Sequence, residues 1–158
     1  MAADERLQEI LAYFEEANWP LDEVDQEDGR LYASMRGRNV VVGLEVSLSD
    51  EWQLLQITLT LPELVTSQRI PELFAVINRV NCNLPVGHFE LNTESRQIFF
   101  YCSAPLTDGV SMRELFESLL AWAADIVDEE HPHIMQSLYS DLPPDDNPSD
   151  DTSRRFDA

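Results

Sequence analysis

"LFAVINRVNCNLPVGHFELN", residues Leu73 to Asn92, carries the decisive switch in this chain: an apolar run at helical spacing hands over to an alternating one through Asn78, Asn81, Cys82, Asn83 and His88. On a helical wheel advancing about 100° per residue, as 3.6 residues per turn require, Asn81 falls between Phe74 and Ile77 on the side expected to be buried. Cys82 points almost opposite Leu73. The asparagine can therefore satisfy last-turn carbonyls or a strand end from the inside, while the thiol faces out. His88 lies on the strand face away from Phe89 and Leu91, beside Glu90. The cluster reads as the polar fittings of a helix-to-strand corner, because a nucleophilic cysteine needs a base within hydrogen-bond reach.

Upstream, "NVVVGLEVSL" (Asn39 to Leu48) puts Val40, Val42, Leu44, Val46 and Leu48 on one face, the period of a strand with one buried side. Leu31, Ala33 and Met35 precede it in the same phase, with Gly37 turning the chain, and Leu55, Ile57, Leu59 and Leu61 follow before Pro62. Three consecutive strands with short turns predict an antiparallel meander. Leu21 to Gly29 is acidic and reads as turn. Before it, Leu7, Ile10, Leu11 and Phe14 predict a helix capped by Asp4 and stopped at Asn18-Trp19-Pro20.

Downstream of the opening stretch, whose own helix is predicted to start around Pro71 and Glu72, Val86 to Asn92 and Arg96 to Ala104 form two further strands. Ser111 and Glu114 make a capping-box pattern ahead of Met112, Leu115, Phe116, Leu119, Trp122, Ala123 and Ile126. Pro132 is expected to break this helix, leaving Ile134 to Leu142 to a short separate one. The expected fold is α+β: a five-stranded antiparallel sheet with helices on one face, in the order α-β-β-β-α-β-β-α. Residues 1–142 make the domain, and 143–158 an acidic, disordered tail.

Composition bounds the function. With 158 residues the chain can bury roughly 70% of its unfolded surface, and 44% hydrophobic residues suit a globular domain. Thirty acidic residues against ten arginines and no lysine give a formal charge of -20, which repels nucleic acid and anionic membrane. Such a coat suits a saline interior, or attraction to a basic protein. "MAADERLQEI" lacks the features of a signal peptide and no run is long enough to span a bilayer, so a cytosolic protein with free Cys82 and Cys102 is expected.

Candidate chemistry is sparse. Glu129-Glu130-His131-Pro132-His133 offers metal-ligand types, yet two histidines spaced by two do not share a helical face as the one-turn spacing does. Asp145, Asn147, Ser149 and Asp151 mimic the start of a calcium loop, but Asp150 replaces its glycine and Phe156 its closing glutamate. Nucleophile elbow, phosphate loop and dinucleotide fingerprint are missing. No catalytic, cofactor or metal residue is assigned. In "QIFFYCSA", Ile98, Phe100 and Cys102 lie to one side and Phe99 and Tyr101 to the other. Only one side can meet the helices, so the second is shielded by its neighbours or meets another protein or a second subunit.

The arrangement resembles the YbjN-domain family of bacterial proteins, whose fold is similar to that of the type III secretion chaperones. The resemblance runs from about Leu7 to Tyr139 and rests on the helix ending in a pair of asparagines before a Gly-x-Phe strand, and on "LTDGVSMRELFESLLAWAADI". Asn78, Asn81, Gly87 and Phe89 carry over as structural positions. It implies a non-enzymatic protein-interaction module, a chaperone-like adaptor or regulator, expected to be a homodimer with an unidentified protein partner. Two alternatives differ in class. One is a metal- or thiol-dependent enzyme using Cys82, His88, Cys102, His131 and His133, and the other is an acidic mimic of nucleic acid that occupies a basic protein.

Overall fold

The computed structural model describes residues 3–139. The tail 143–158, Leu142 and the calcium-like run from Asp145 lie outside the described residues. Helix α1 (Ala3–Glu16) buries Leu7, Ile10 and Phe14. It begins ahead of Asp4, whose side chain lies outside the described residues.

The acidic segment read as turn is a strand. β1 (Leu21–Asp25) pairs antiparallel with β2 (Arg30–Arg36), making the sheet six-stranded rather than five-stranded. Its ladder uses backbone groups, and as an edge strand it needs little apolar surface, so "LDEVD" hides the strand from any hydrophobic pattern. β2 continues into β3 (Val41–Ser49) and β4 (Leu54–Leu64), the expected meander. A single 3-10 turn (Ser67–Arg69) leads into α2 (Ile70–Asn81), which has Pro71 in its first turn.

Next come β5 (His88–Asn92), β6 (Gln97–Pro105) and α3 (Met112–Tyr139). The sheet order is β1-β2-β3-β4-β6-β5, antiparallel throughout, so β6 inserts beside β4 and β5 becomes the second edge. One inner row crosses five strands: Ala33, Leu44, Leu59, Phe100 and Phe89, all buried. α3 lies over β4 and β6 with α1 and α2 to either side, and Phe116, Ala123 and Ile134 seal the core.

Pro132 does not break α3, contrary to the pattern. A proline lacks the N–H that would bond the carbonyl four residues earlier, which here belongs to Asp128. That carbonyl accepts instead from Asn39 Nδ2 at 2.8 Å. The β2–β3 turn thus replaces the missing donor. The same turn gives the Asn39 N–H to Asp128 Oδ1 at 2.7 Å and Arg38 Nε to Oδ2 at 3.0 Å. Gly37 leaves space beside it, since a Cβ there would crowd the Asp128 carboxylate.

Candidate protein-interaction surface

Sequence alternation fixes the other face of the sheet as firmly as the core. Registers place Glu23, Tyr32, Glu45, Thr58, Tyr101 and His88 in one row across all six strands, and Ser34, Gly43, Thr60, Phe99 and Glu90 in the next. No described helix covers these rows. Phe99 and Tyr101 are half-buried, their rings stacked with centroids 5.9 Å apart at 26°, and His88 lies 5.6 Å from Tyr101. Thr58 is nevertheless buried, sheltered between the longer side chains of the row, and its Oγ1 receives Gln56 Nε2 at 3.4 Å. Neighbouring side chains thus shield the middle of this face, while Phe99, Tyr101 and His88 keep part of their surface exposed.

A cleft of about 470 Å³ opens at the β5 end of the strip, lined among others by Gln56, Val86, His88, Glu90, Tyr101 and Ser103. Gly87, at φ 82°, lets the chain pass close against β6, where a Cβ would meet the Phe100 ring at 2.6 Å and the Tyr101 carbonyl at 2.8 Å. The field here is negative. Partial burial pushes the Tyr101 phenol above its usual range, and the Glu90 and Glu45 carboxylates push it further.

Both sheet edges are guarded. β1 carries Asp22, Glu23 and Asp25 and a register shift between Leu21 and Glu23, charged and irregular features that oppose pairing with another strand. On β5, Asn81 Oδ1 accepts the Phe89 N–H at 2.7 Å and its Nδ2 donates to the Phe89 carbonyl at 2.9 Å. One side chain thus takes the place of a neighbouring strand. This is the strand-end role the helical wheel allowed for Asn81.

The remaining candidates are dispersed. Cys82 is exposed at the end of α2, whereas Cys102 is buried in the core, its thiol pushed up to about 12 by burial and its Sγ 4.0 Å from the Leu119 carbonyl. His131 turns inward to Glu63 Oε1 at 2.8 Å, and His133 turns to solvent beside Glu130 Oε2 at 3.2 Å. They leave α3 in different directions and share no ligand point. Among the described residues no three His, Cys, Asp or Glu side chains converge as metal ligands. Nor is any described helix long and apolar enough to cross a membrane. Sequence reading missed the row itself, since Tyr32, Glu45 and His88 meet only through strand register.

A family model, YbjN, described as "Putative bacterial sensory transduction regulator", matches residues 6–136. The chain belongs to the YbjN family. The crystal structure of YbjN from E. coli shares the fold, with 12% identity and a TM-score of 0.58 over 80% of this chain and 92% of that one. A chain of the ExsC-ExsE complex is similar at 15% identity and a TM-score of 0.59, covering 82% and 93%. A chain of the HopA1-SchA chaperone-effector complex aligns at 20% identity and a TM-score of 0.47, covering 82% and 98%. At such identities the first two likenesses are of fold alone. Among curated proteins none matches the sequence significantly. The YbjN match takes in both guarded edges and the whole open face.

Proposed function

We propose that this YbjN-family protein acts by binding another protein across the open face of its sheet, as a chaperone-like adaptor or regulator without catalytic residues, metal or cofactor. The observation that carries this reading is the uncovered strip of Phe99, Tyr101 and His88 on β6 and β5. Aromatic side chains that keep surface exposed are enriched at the centres of protein interfaces. Guarded edges steer contact to the face rather than to strand addition. A chain of similar fold occurs in the two-protein ExsC-ExsE complex, which supports a binding role for the fold.

In this reading residues 1–142 form a cytoplasmic binding domain and 143–158 an appended acidic tail. A homodimer would pair through the last turns of α3, where Pro132, His133 and Tyr139 are exposed, leaving the sheet face to the partner. Light scattering on the full chain measures that assembly. The binding itself is tested by partner capture with wild type and with Phe99→Ser, both checked for folding by circular dichroism. Loss of the captured protein with Phe99→Ser supports the reading, and unchanged capture rejects it.

A further inference from the structure

The helix layer shows what this chain does with an arginine. The Arg113 guanidinium lies 5.5 Å above the Tyr13 ring and is gripped by Glu16 Oε2 at 2.6 Å and Glu117 Oε1 at 3.0 Å. That seat consists of one aromatic face and two carboxylates. An aromatic face and a carboxylate also neighbour one another on the open face of the sheet. Tyr101 stands beside Phe99, Glu90 lies directly opposite Phe99 on β5, and Glu45 lies two strands away in the Tyr101 row. Adjacent strands are about 4.8 Å apart, so Glu90, one strand away, lies within reach of a guanidinium over the Tyr101 ring, while Glu45, two strands away on the other side, adds to the negative field. Among the described residues Arg30 approaches Glu45 at 3.5 Å, and Glu90 has only His88 Nε2, at 3.9 Å.

We propose that the open face is a docking surface for an arginine-bearing segment of a basic protein, with the guanidinium stacked on Tyr101 and Phe99 and held by Glu90. This rests on the protein-binding reading above and specifies the partner's chemistry. A guanidinium suits the seat better than an ammonium, because its plane stacks on an aromatic face while its fork grips a carboxylate with two donors. Neutral residues flank the seat: Thr60, Gln56 and Ser103 offer hydrogen-bonding groups to an extended backbone, and the 470 Å³ cleft beside His88 receives a neighbouring side chain. A formal charge of -20 draws basic segments to the whole surface, and the seat fixes where they stop. A second copy of this acidic chain is the poorer occupant, since it brings carboxylates to carboxylates.

The test is fluorescence anisotropy of a labelled peptide of Gly-Ser-Arg repeats against the full chain at low salt, beside the lysine version of the same peptide. Glu90→Gln removes one exposed carboxylate from the seat, and Glu129→Gln removes one from the opposite, helical layer. The proposal expects the arginine peptide to bind several-fold tighter than the lysine peptide. It expects Glu90→Gln to weaken arginine binding by about tenfold, the scale of a lost charge-assisted contact to a stacked guanidinium, and Glu129→Gln to leave it within about twofold. Equal losses in the two variants, or no preference for arginine, would overturn it as mere attraction of opposite charges. If capture of the partner is lost with Phe99→Ser while the arginine peptide ignores Glu90→Gln, the docking face stands and the arginine seat is wrong.

Discussion

Asn39 and Asp128 are joined in both directions: the Asn39 side chain donates to the Asp128 carbonyl at 2.8 Å, and the Asp128 carboxylate accepts the Asn39 N–H at 2.7 Å. Through this pair the β2–β3 turn supplies the donor that Pro132 denies to α3, and a 28-residue helix runs unbroken across the sheet.

Asn39→Ala should therefore cost about 1 kcal/mol, the low end for a carbonyl left without its donor, since this bond is only part-buried. In a Pro132→Ala background the alanine N–H can close the helical bond to Asp128, so the same substitution should cost clearly less. Urea denaturation of the four proteins in the cycle measures the coupling. Equal costs in both backgrounds would mean that Asn39 does not stand in for the missing proline donor.

Acid should loosen the same joint. Asp128 is held below its ordinary 3.8 first by the Asn39 N–H and then by the Arg38 guanidinium, against the opposing effect of desolvation. A carboxyl depressed in the folded state contributes stability that is complete above its unfolded value and lost as pH falls through the folded one. The stability difference between wild type and Asp128→Asn should be steady from pH 7 to about 5 and shrink below about 4. A difference that grows on acidification would contradict this ionisation.

Asn81→Ala should destabilise by about 1–3 kcal/mol, because it orphans both the N–H and the carbonyl of Phe89 at the sheet edge. It should also raise the tendency to aggregate, since an unblocked edge can template another strand. Thermal denaturation and light scattering check the two effects. A variant as stable and as soluble as wild type would remove the edge-guarding role.

The two thiols should separate by reactivity. In native protein at pH 8 a thiol reagent should modify exposed Cys82 promptly and leave buried Cys102, with its thiol near 12, until the fold opens. Two fast thiols in the native state would place Cys102 outside the core.

What the sequence disclosed depended on whether a feature was written in side-chain period or in pairing. Val42, Leu44 and Val46 announce their strand because one face is buried, and Asn81 was legible from its angle on the helix. β1 was not, since Asp22, Glu23 and Asp25 are edge charges and its ladder is made by backbone groups against β2. The run through Pro132 was likewise hidden: its compensating donor, Asn39, lies 89 residues from Asp128 in sequence. The open face was half legible, because alternation sets Phe99 and Tyr101 opposite Phe100, while only register brings Glu45, Tyr101 and His88 into one row.

The central claim is that the uncovered sheet face makes the functional contact, and hydroxyl-radical footprinting of the partner complex addresses it most directly. Tyr32, Phe99 and Tyr101 should be protected when the partner is bound, while Trp52, on the β3–β4 turn and 71% exposed, should oxidise as in the free chain. Protection confined to the helix layer around Tyr13, with Phe99 and Tyr101 unchanged, would contradict the account.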